Sequence, residues 1–440
     1  MYPVEAICQM LCHPISTGLE LFGTFWTLIL VCGWLNCGNT RLREIARRGN
    51  KVQQSSSVVV VGGGGRGTRS EKRGGRYVAE PAGVSVVMPV KGCRPHSVSN
   101  WLSQVNMQYS GPLEFLFVVE SEADPAYGAL TELLRSEEWT GVSVLVAGQS
   151  TTCSQKIHNQ LTGVAKANSA HKYLFFLDDD VQLHPTTLED LVGTLEGDPS
   201  LFMATGYPFD LVSADGSVFS HAIAAYHHIL GIGATSTEQH MFIWGGCMLV
   251  PLKCIQEDGF GIKSAWRNGG YSDDLILVTT CKEYGLKTIC PFYSVFPQRL
   301  HRCTYWDFWN YLHRQLFVMD TYRNRTGMLL NWTLLSLLAL LGVLMSTPML
   351  LSAIRAAMWL ASGQTSCCQS RLEYLPQVWL LLWLLASLAF WRLLRIMATL
   401  FTKLSPNRDD GVPRLTLEYL LKFWAGFYLC WGMIAAVAAY

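Results

Sequence analysis

Apolar segments long enough to cross a bilayer stand at both ends of the chain, and they limit what it can fold into. Residues 18–37 form a nearly uncharged apolar stretch near the N-terminus. Three further stretches follow near 328–354, 375–394 and 417–438. About 20 consecutive apolar residues cross the hydrocarbon core of a bilayer. Half of all residues are hydrophobic and only 15% are charged, a balance that favours a membrane protein over a soluble one.

The charges beside these segments predict their orientation. The basic run RLREIARRGNK, residues 41–51, follows the first apolar segment, whereas a secretory signal carries its positive charge in front. Because positive loops stay in the cytosol, we expect an uncleaved anchor over residues 1–40 and a cytosolic chain after it. Residues 392–414 hold five basic and two acidic side chains, which agrees with alternating spans in the C-terminal region, 327–440. A net charge of +1 gives no indication of a nucleic-acid partner.

The segment between the spans predicts a linker and then a catalytic domain. Residues 41–83 are rich in glycine, serine and arginine, which is typical of a flexible linker. Over residues 84–300, short apolar runs alternate with helix-like segments, and the candidate strands are VSVVMPV, EFLFVVE, VSVLVAG, YLFFLDD and FMATGYP. Several are continuously apolar, as strands covered on both faces are. The pattern predicts an α/β domain with a mostly parallel sheet. Aromatic and basic residues at helical spacing over 301–326 predict an amphipathic helix at the membrane surface.

Three consecutive aspartates, Asp178 to Asp180, follow the apolar run YLFFL. In open α/β sheets, ligands bind at the carboxyl ends of strands. On an extended backbone Asp178 and Asp180 lie on the same side, so both carboxylates can reach one divalent cation such as Mg²⁺ or Mn²⁺. An acidic helix start is the alternative interpretation, since aspartate is favoured in first turns.

Two more acidic groups and a lysine accompany the triplet. Asp124 follows the candidate strand that ends at Val119, and the pair Asp273–Asp274 opens an amphipathic helix after two glycines. Lys156 precedes the acidic strand, where its charge can meet a phosphate. Each feature alone is also explained by a helix cap or a surface lysine. Together, between membrane spans, they favour a site that binds a metal and a nucleotide diphosphate.

Taken in order, the segments MPVKG, ADPA, SQKIHN, LDDDV, GYP, WGGCMLV and YSDD resemble the ceramide glucosyltransferase family, membrane-bound glycosyltransferases with the GT-A fold. The segment WNYLHRQLFVMDTY is similar to the plant-type branch of that family. The resemblance covers residues 84–325. It implies a GT-A α/β domain with one N-terminal and about three C-terminal transmembrane helices. It also implies glucose transfer from UDP-glucose to the primary hydroxyl of ceramide, with inversion, in the Golgi or endoplasmic reticulum and on the cytosolic side.

The resemblance assigns roles to the acidic residues. Asp124 matches the family's nucleoside-contacting aspartate. Asp178 matches its second aspartate, which binds the UDP-sugar, and Asp180 completes the spacing that binds Mg²⁺ or Mn²⁺. Asp274 matches the general base, and Asp273 beside it is expected to raise its pKa.

The resemblance also assigns three cationic or titratable residues. Lys156 is expected near the diphosphate, and His228 matches a histidine linked to the UDP-sugar. The family's Gln/Arg-x-x-Arg-Trp motif has its best counterpart in residues 311–315, which lack the tryptophan and the leading glutamine or arginine. Arg314 is expected to neutralise the leaving UDP, with Arg302 as a rival.

Three other functions fit parts of the sequence. A processive polysaccharide synthase would share the catalytic domain, but it would need a transmembrane tunnel for its polymer. A transporter would place acidic residues inside its spans, and these spans are nearly free of charge. A membrane scaffold without activity is the third alternative. The sequence does not decide between glucose and galactose as the sugar transferred.

Overall fold

A computed structural model gives the architecture of the chain. It describes residues 7, 9–11, 13–58, 81–137, 139–238, 242–318, 321–362, 375–406 and 412–438. The described strands are β1 Val84–Pro89, β2 Leu113–Val119, β3 Val142–Val146, β4 Tyr173–Leu177, β5 Leu201–Thr205, β6 Tyr207–Val212, β7 Cys247–Pro251, β8 Lys287–Ile289 and β9 Val295–Leu300. The described helices are α1 Pro14–Val58, α2 Ser97–Val105, α3 Pro125–Ser136, α4 Gln155–Lys166, α5 Thr187–Gly197, α6 Val218–Ser236, α7 Leu252–Gln256, α8 Ile262–Arg267, α9 Asp273–Tyr284, α10 Tyr305–Phe317, α11 Arg325–Ser362, α12 Leu375–Leu404 and α13 Leu417–Ala438, with a 3₁₀ turn at Gly259–Gly261.

One large sheet organises residues 84–300, where the catalytic domain is expected. Its seven strands lie in the order β3-β2-β1-β4-β7-β5-β8. Neighbours are parallel from β3 to β4 and between β5 and β8, while β7 is antiparallel to both β4 and β5. Strands β6 and β9 form a separate parallel pair. The expected mostly parallel α/β sheet is therefore confirmed.

The central strand β4 shows why its sequence is continuously apolar. All five of its residues are buried. Phe175 packs into the hydrophobic cluster on one face of the sheet, and Phe176 packs into the cluster on the other. Since side chains alternate between the faces of a strand, a strand with helices on both sides needs apolar residues at every position.

The strand directions bring the acidic segments to one edge of the sheet. Strands β1, β2 and β4 run parallel, so the segments that follow them leave from the same edge, among them Asp124 after β2 and Asp178 after β4. Strand β7 runs the other way, and Cys247 at its start is paired with Leu177 at the end of β4. The glycine turn before β7, which includes Gly246, therefore also lies at this edge, and the Asp178 N–H donates to the Gly246 carbonyl at 3.0 Å.

The candidate strand FMATGYP is two strands in two sheets, not one. Strand β5 ends at Thr205 and β6 begins at Tyr207, with Gly206 between them. A Cβ at Gly206 would lie 2.8 Å from the Ser294 carbonyl and 2.6 Å from the Phe296 ring. Glycine therefore lets the chain pass close to β9 as it changes sheets.

Four described helices are long and apolar enough to cross a membrane, which agrees with the four expected spans. Their candidate spans are Pro14–Arg48, Arg325–Met358, Gln377–Leu404 and Leu417–Ala438.

The first of these helices extends beyond its candidate span. Helix α1 runs unbroken to Val58, so the predicted flexible linker, residues 41–83, is helical in its first part. Arg41 attaches this helix to the α/β domain: it is 1% exposed and donates to the Thr235 carbonyl at 2.6 Å and to the Phe292 carbonyl. Residues 59–80 of the predicted linker lie outside the described residues.

Within the predicted segment 301–326, helix α10 is amphipathic, and its expected place at the membrane surface stays a prediction. Phe308, Leu312 and Leu316 recur at helical spacing on α10 and are buried, whereas Trp306 is 66% exposed. The buried face joins a hydrophobic cluster that contains residues of α6, α12 and α13. Helix α10 therefore packs against both the α/β domain and the apolar helices.

Candidate active site

A lysine and two carboxylates form the centre of the acidic edge. The Lys156 ammonium lies 2.9 Å from Asp178 Oδ1 and 3.2 Å from Asp273 Oδ2, and it donates to the Gly245 carbonyl at 3.2 Å. The structure thus brings Lys156 together with Asp178, which directly follows β4, and with Asp273 of α9, which lies far along the chain. The ammonium offsets the repulsion between the two carboxylates.

Helix α4 positions Lys156 from one face. Ser154 caps the helix, with its hydroxyl accepting the Ile157 N–H at 3.4 Å. Gln160 lies one turn after Lys156 on the same face and donates to Asp273 Oδ2 at 2.6 Å. Because residues four apart on a helix are neighbours, one rigid element presents both donors to the same carboxylate.

The pair Asp273–Asp274 sits in the first turn of α9, as the sequence predicts. The two carboxylates point to different partners. Asp273 faces Lys156, whereas Asp274 Oδ2 accepts the Gly245 N–H at 3.1 Å and Asp274 Oδ1 accepts the Leu275 N–H at 2.8 Å. Two backbone donors thus hold the Asp274 carboxylate in one orientation.

Burial and mutual repulsion shift the pKa values in this cluster. Burial raises the pKa of Asp178 to about 6, although Lys156 opposes the shift. Burial also raises the pKa of Asp274, and the Asp273 charge raises it further. For Lys156, burial lowers the pKa, but Asp178 and Asp273 outweigh it and hold the pKa well above its usual value. Perturbed pKa values of this kind cluster at functional sites.

The second metal candidate, Asp180, lies beside a different set of donors. Asp180 Oδ2 accepts the Gln298 side-chain amide at 2.8 Å and lies 3.6 Å from Arg94 Nη1. Within the described ranges, no group of three or more His, Cys, Asp or Glu side chains converges as a complete metal cage. Mg²⁺ typically binds one or two carboxylates together with substrate phosphates and water. The carboxylates of Asp178 and Asp180 fit that ligand set.

Asp124 has a structural duty in addition to its expected role. Its Oδ1 accepts the Ala126 N–H at 2.9 Å and so caps α3. The same oxygen accepts the Gly92 N–H at 2.8 Å, from the segment after β1. Asp124 therefore fixes the segment that carries Arg94 toward Asp180. Its nucleoside contact stays a prediction.

The structure does not bring His228 into the Lys156 cluster. Its ring packs against Phe209 and Phe390, with centroids 4.8 Å and 4.9 Å apart, and burial lowers the pKa of His228 to about 4. The neighbouring His227 makes the polar contacts instead, with Nδ1 2.8 Å from Asp210 Oδ2 and Nε2 2.5 Å from the Tyr311 hydroxyl. The UDP-sugar role of His228 stays a prediction.

Arg314 lies exposed on α10, one turn after Tyr311. The Tyr311 hydroxyl bonds to His227, which is held by Asp210 on β6. Asp210 is paired in register with Gln298, the residue that donates to Asp180. A polar chain thus links the helix of Arg314 to the acidic edge, although the contact of Arg314 with UDP stays a prediction.

Sequence reasoning missed three contributors to the site: Arg94, Gln160 and Gln298. Two of them had a usable signal. Arg94 follows the carboxyl end of β1, and Gln160 lies four residues after Lys156 on one helix. Gln298 had none, because β9 belongs to the small sheet and only the fold brings it to Asp180.

Comparisons with known proteins place the chain among glycosyltransferases. The model of the family described as Glycosyl transferase family 21 matches residues 64–394. The comparison with curated proteins found no match. Mannosyltransferase PcManGT from Pyrobaculum calidifontis, in complex with GDP-Man and Mn²⁺, is similar over 99% of this chain and 96% of that one, with 12% identity and a TM-score of 0.42. TarS residues 1–349 from S. aureus are similar over 80% of this chain and 90% of that one, with 11% identity and a TM-score of 0.34.

Proposed function

Because the chain belongs to glycosyl transferase family 21, we propose that it transfers glucose from UDP-glucose to the primary hydroxyl of ceramide. The family is that of the glucosylceramide synthases, and the sequence of α10 supports its plant-type branch. The observation that carries the proposal is the half-buried cluster of Lys156, Asp178, Asp273 and Asp274 at the carboxyl edge of the sheet. This cluster offers a cation for a diphosphate and a base for a hydroxyl.

UDP-glucose lies across the ends of β2 and β4 in this proposal. Asp124 contacts the nucleoside, and Lys156 turns from its carboxylate partners toward the diphosphate. Asp178 and Asp180 would hold Mg²⁺ or Mn²⁺, which when bound supplies positive charge next to the diphosphate. Arg314 neutralises UDP as it leaves. Fixed charges that face the developing negative charge are commonly the largest contribution to catalysis.

Asp274 is the general base. It accepts the proton of the ceramide hydroxyl while that oxygen forms its bond to the anomeric carbon and the bond from that carbon to UDP breaks. Attack from the face opposite UDP inverts the carbon, so an α-linked donor gives a β-glucoside. The raised pKa of Asp274 suits this role, since a base works best when its pKa lies near the operating pH.

The four apolar helices anchor the enzyme in its substrate's membrane. We assign the catalytic domain to the cytosolic face of its membrane, because Arg41, Arg43 and Arg47 follow the apolar stretch 18–37. The Golgi or endoplasmic reticulum is the membrane that the proposed reaction implies. Ceramide is nearly insoluble in water, so an enzyme that uses it needs access from the bilayer. The exposed aromatic residues of α10, Trp306 among them, fit such a membrane-facing surface.

A microsomal assay tests the function. Membranes that carry the protein receive labelled UDP-glucose, ceramide and Mg²⁺ or Mn²⁺. We expect labelled glucosylceramide from the wild type, and a loss of at least about a hundredfold in Asp274→Asn, which keeps the size but not the basicity of the side chain. Addition of a chelator is expected to abolish the product, and Mn²⁺ or Mg²⁺ in excess to restore it.

Asp198→Asn is the matched control. Asp198 is exposed and precedes β5, so it lies at the sheet edge opposite to Asp178. It is expected to retain wild-type activity. Label in a polymer instead of a lipid would show that the acceptor is a polysaccharide and not ceramide. A lack of transfer to any acceptor by a well-expressed wild type would favour the scaffold alternative.

A further inference from the structure

A cavity of about 460 Å³ lies between the catalytic helix and the start of the first C-terminal span. One wall consists of residues around the beginning of α9, including Gly270, Tyr271 and Ile276. The opposite wall comes from the end of α10 and the connection to α11, including Phe317 and Tyr322. The cavity therefore joins the two parts of the molecule that a membrane-derived substrate must connect.

The first wall comes from chain segments next to the candidate active-site residues. Tyr271 and Ile276 stand on either side of Asp273–Asp274 in the chain. The Gly270 carbonyl accepts the Ser154 N–H at 2.8 Å, which ties this wall to the cap of the helix that carries Lys156. The cavity thus borders the segment of the chain that carries the expected base.

The second wall directly precedes the candidate span that begins at Arg325. Phe317 and Tyr322 are 50% and 44% exposed, and α11 begins at Arg325. Exposed aromatic side chains directly before a span are typical of the membrane interface. Across the cavity, the Tyr271 and Phe317 rings meet edge to face with centroids 5.1 Å apart.

Arg323 fastens the two walls to each other. It lines the cavity and donates to Thr280 Oγ1 on α9 at 2.6 Å. It also donates to the Phe260 carbonyl at 2.8 Å and lies 3.4 Å from Glu283. Three anchors on one guanidinium fix the position of the connection relative to α9, so the cavity has a defined shape.

We propose that this cavity binds the head portion of the lipid acceptor, a ceramide with its amide and hydroxyl groups. The assignment rests on the proposed function and adds the binding site of its acceptor. Asn268 and Thr321 offer hydrogen bonds to the amide and hydroxyl, while the rings of Tyr271 and Phe317 cover the first carbons of the chains. A volume of about 460 Å³ suits a small molecule but not two long chains, so the tails remain in the bilayer.

Two opposite changes to the cavity test the proposal. Phe317→Ala removes an aromatic wall, and Ala265→Trp fills the space from α8. Steady-state kinetics in mixed micelles give the KM for ceramide, as a mole fraction of the micelle, and the KM for UDP-glucose. We expect Phe317→Ala to raise the KM for ceramide by about tenfold, because the bound lipid loses its contact with the phenyl ring. Ala265→Trp is expected to raise it at least as much, and both variants to keep the wild-type KM for UDP-glucose.

Phe25→Ala is the control for removing an exposed phenyl ring from the membrane-facing surface. Phe25 lies on α1 and is 59% exposed, close to the value for Phe317. It is expected to match the wild type in both constants. An active wild type whose two cavity variants keep its ceramide KM would overturn this assignment alone. An equal loss toward both substrates would also overturn it, because the cavity would then only support the catalytic edge. A wild type that glucosylates no ceramide would overturn the proposed function, and this assignment with it.

Discussion

At the scale of single residues, Lys156 holds two carboxylates in place that would otherwise repel each other. Lys156→Met keeps the length of the side chain and removes the charge, so Asp178 and Asp273 lose their common partner. We expect kcat/KM for UDP-glucose to fall by about a hundredfold or more, as when one electrostatic group is removed from a catalytic site. We also expect a lower melting temperature, because Asp178 and Asp273 then repel each other with no cation between them.

Lys166→Met controls for this change. Lys166 is on the same helix and exposed, and its loss is expected to alter neither quantity. Activity and melting temperature are measured on the purified protein in detergent. An unchanged kcat/KM in Lys156→Met would remove Lys156 from the proposed diphosphate site.

The raised pKa of Asp274 predicts how activity depends on pH. A base must be ionised to accept a proton, and burial together with Asp273 makes Asp274 harder to ionise. As the pH falls, Asp274 takes up its proton at a higher pH than an ordinary aspartate, whose pKa is about 4. Activity at saturating UDP-glucose is therefore expected to drop by about tenfold per pH unit below the pKa of Asp274. The drop is expected to begin at a higher pH than for an ordinary aspartate. UDP-glucose binding at each pH is the reference measurement, and a flat pH profile of the rate through the acid range would contradict the assignment.

At the scale of elements, the glycine pair Gly269–Gly270 lets the chain pass close to α8 just before α9 begins. Gly269 has a φ of +83°, and a Cβ at Gly270 would lie 2.5 Å from the Trp266 carbonyl oxygen. Gly270→Ala must therefore displace the segment whose carbonyl holds the cap of α4 at Ser154. We expect the transfer rate to fall by at least about tenfold, since a small misplacement of catalytic groups is costly.

Gly128→Ala shows what the same substitution does without a clash. Gly128 lies inside α3, and nothing stands within 4 Å of its added Cβ. It is expected to raise stability by about 0.5–1 kcal/mol, because alanine favours the helix. Equal activity of the two variants, measured as product per milligram of folded protein, would contradict the role given to the glycine pair.

The elements also show how far the sequence predicts this molecule. The strands of the large sheet with continuous apolar runs, the acidic ends of β2 and β4, and the four apolar helices were predictable, because each depends on a local pattern. Strand β7 was not identified as a strand, since its antiparallel place between β4 and β5 depends on tertiary contacts. For the same reason nothing local indicated Gln298 beside Asp180 or the aromatic surroundings of His228.

At the scale of the whole molecule, Arg41 joins the N-terminal helix to the catalytic domain. Its guanidinium is buried, bonds to two backbone carbonyls and lies over the Phe292 ring at 4.8 Å. Arg41→Met leaves those carbonyls without a donor, and we expect the free energy of unfolding of the domain to fall by about 3 kcal/mol. Thermal unfolding in detergent micelles measures the effect.

Arg43→Met is the control, because Arg43 is an exposed arginine on the same part of α1. It is expected to keep the wild-type melting temperature. If both variants melt like the wild type, α1 does not depend on Arg41 for its attachment to the domain.

The unbroken helix α1 has a consequence for substrate choice. A domain on a loose tether would sample a range of heights above the bilayer and could meet acceptors dissolved in water. In the proposed orientation, the continuous helix α1 and the contact of Arg323 with α9 are expected to hold the acidic edge at one depth relative to the bilayer surface. The depth of an acceptor's hydroxyl in the bilayer would then decide, together with its chemistry, whether the enzyme can use it. Lipids whose hydroxyl rides higher or lower than that level would be poor substrates, even when their chemistry is the same.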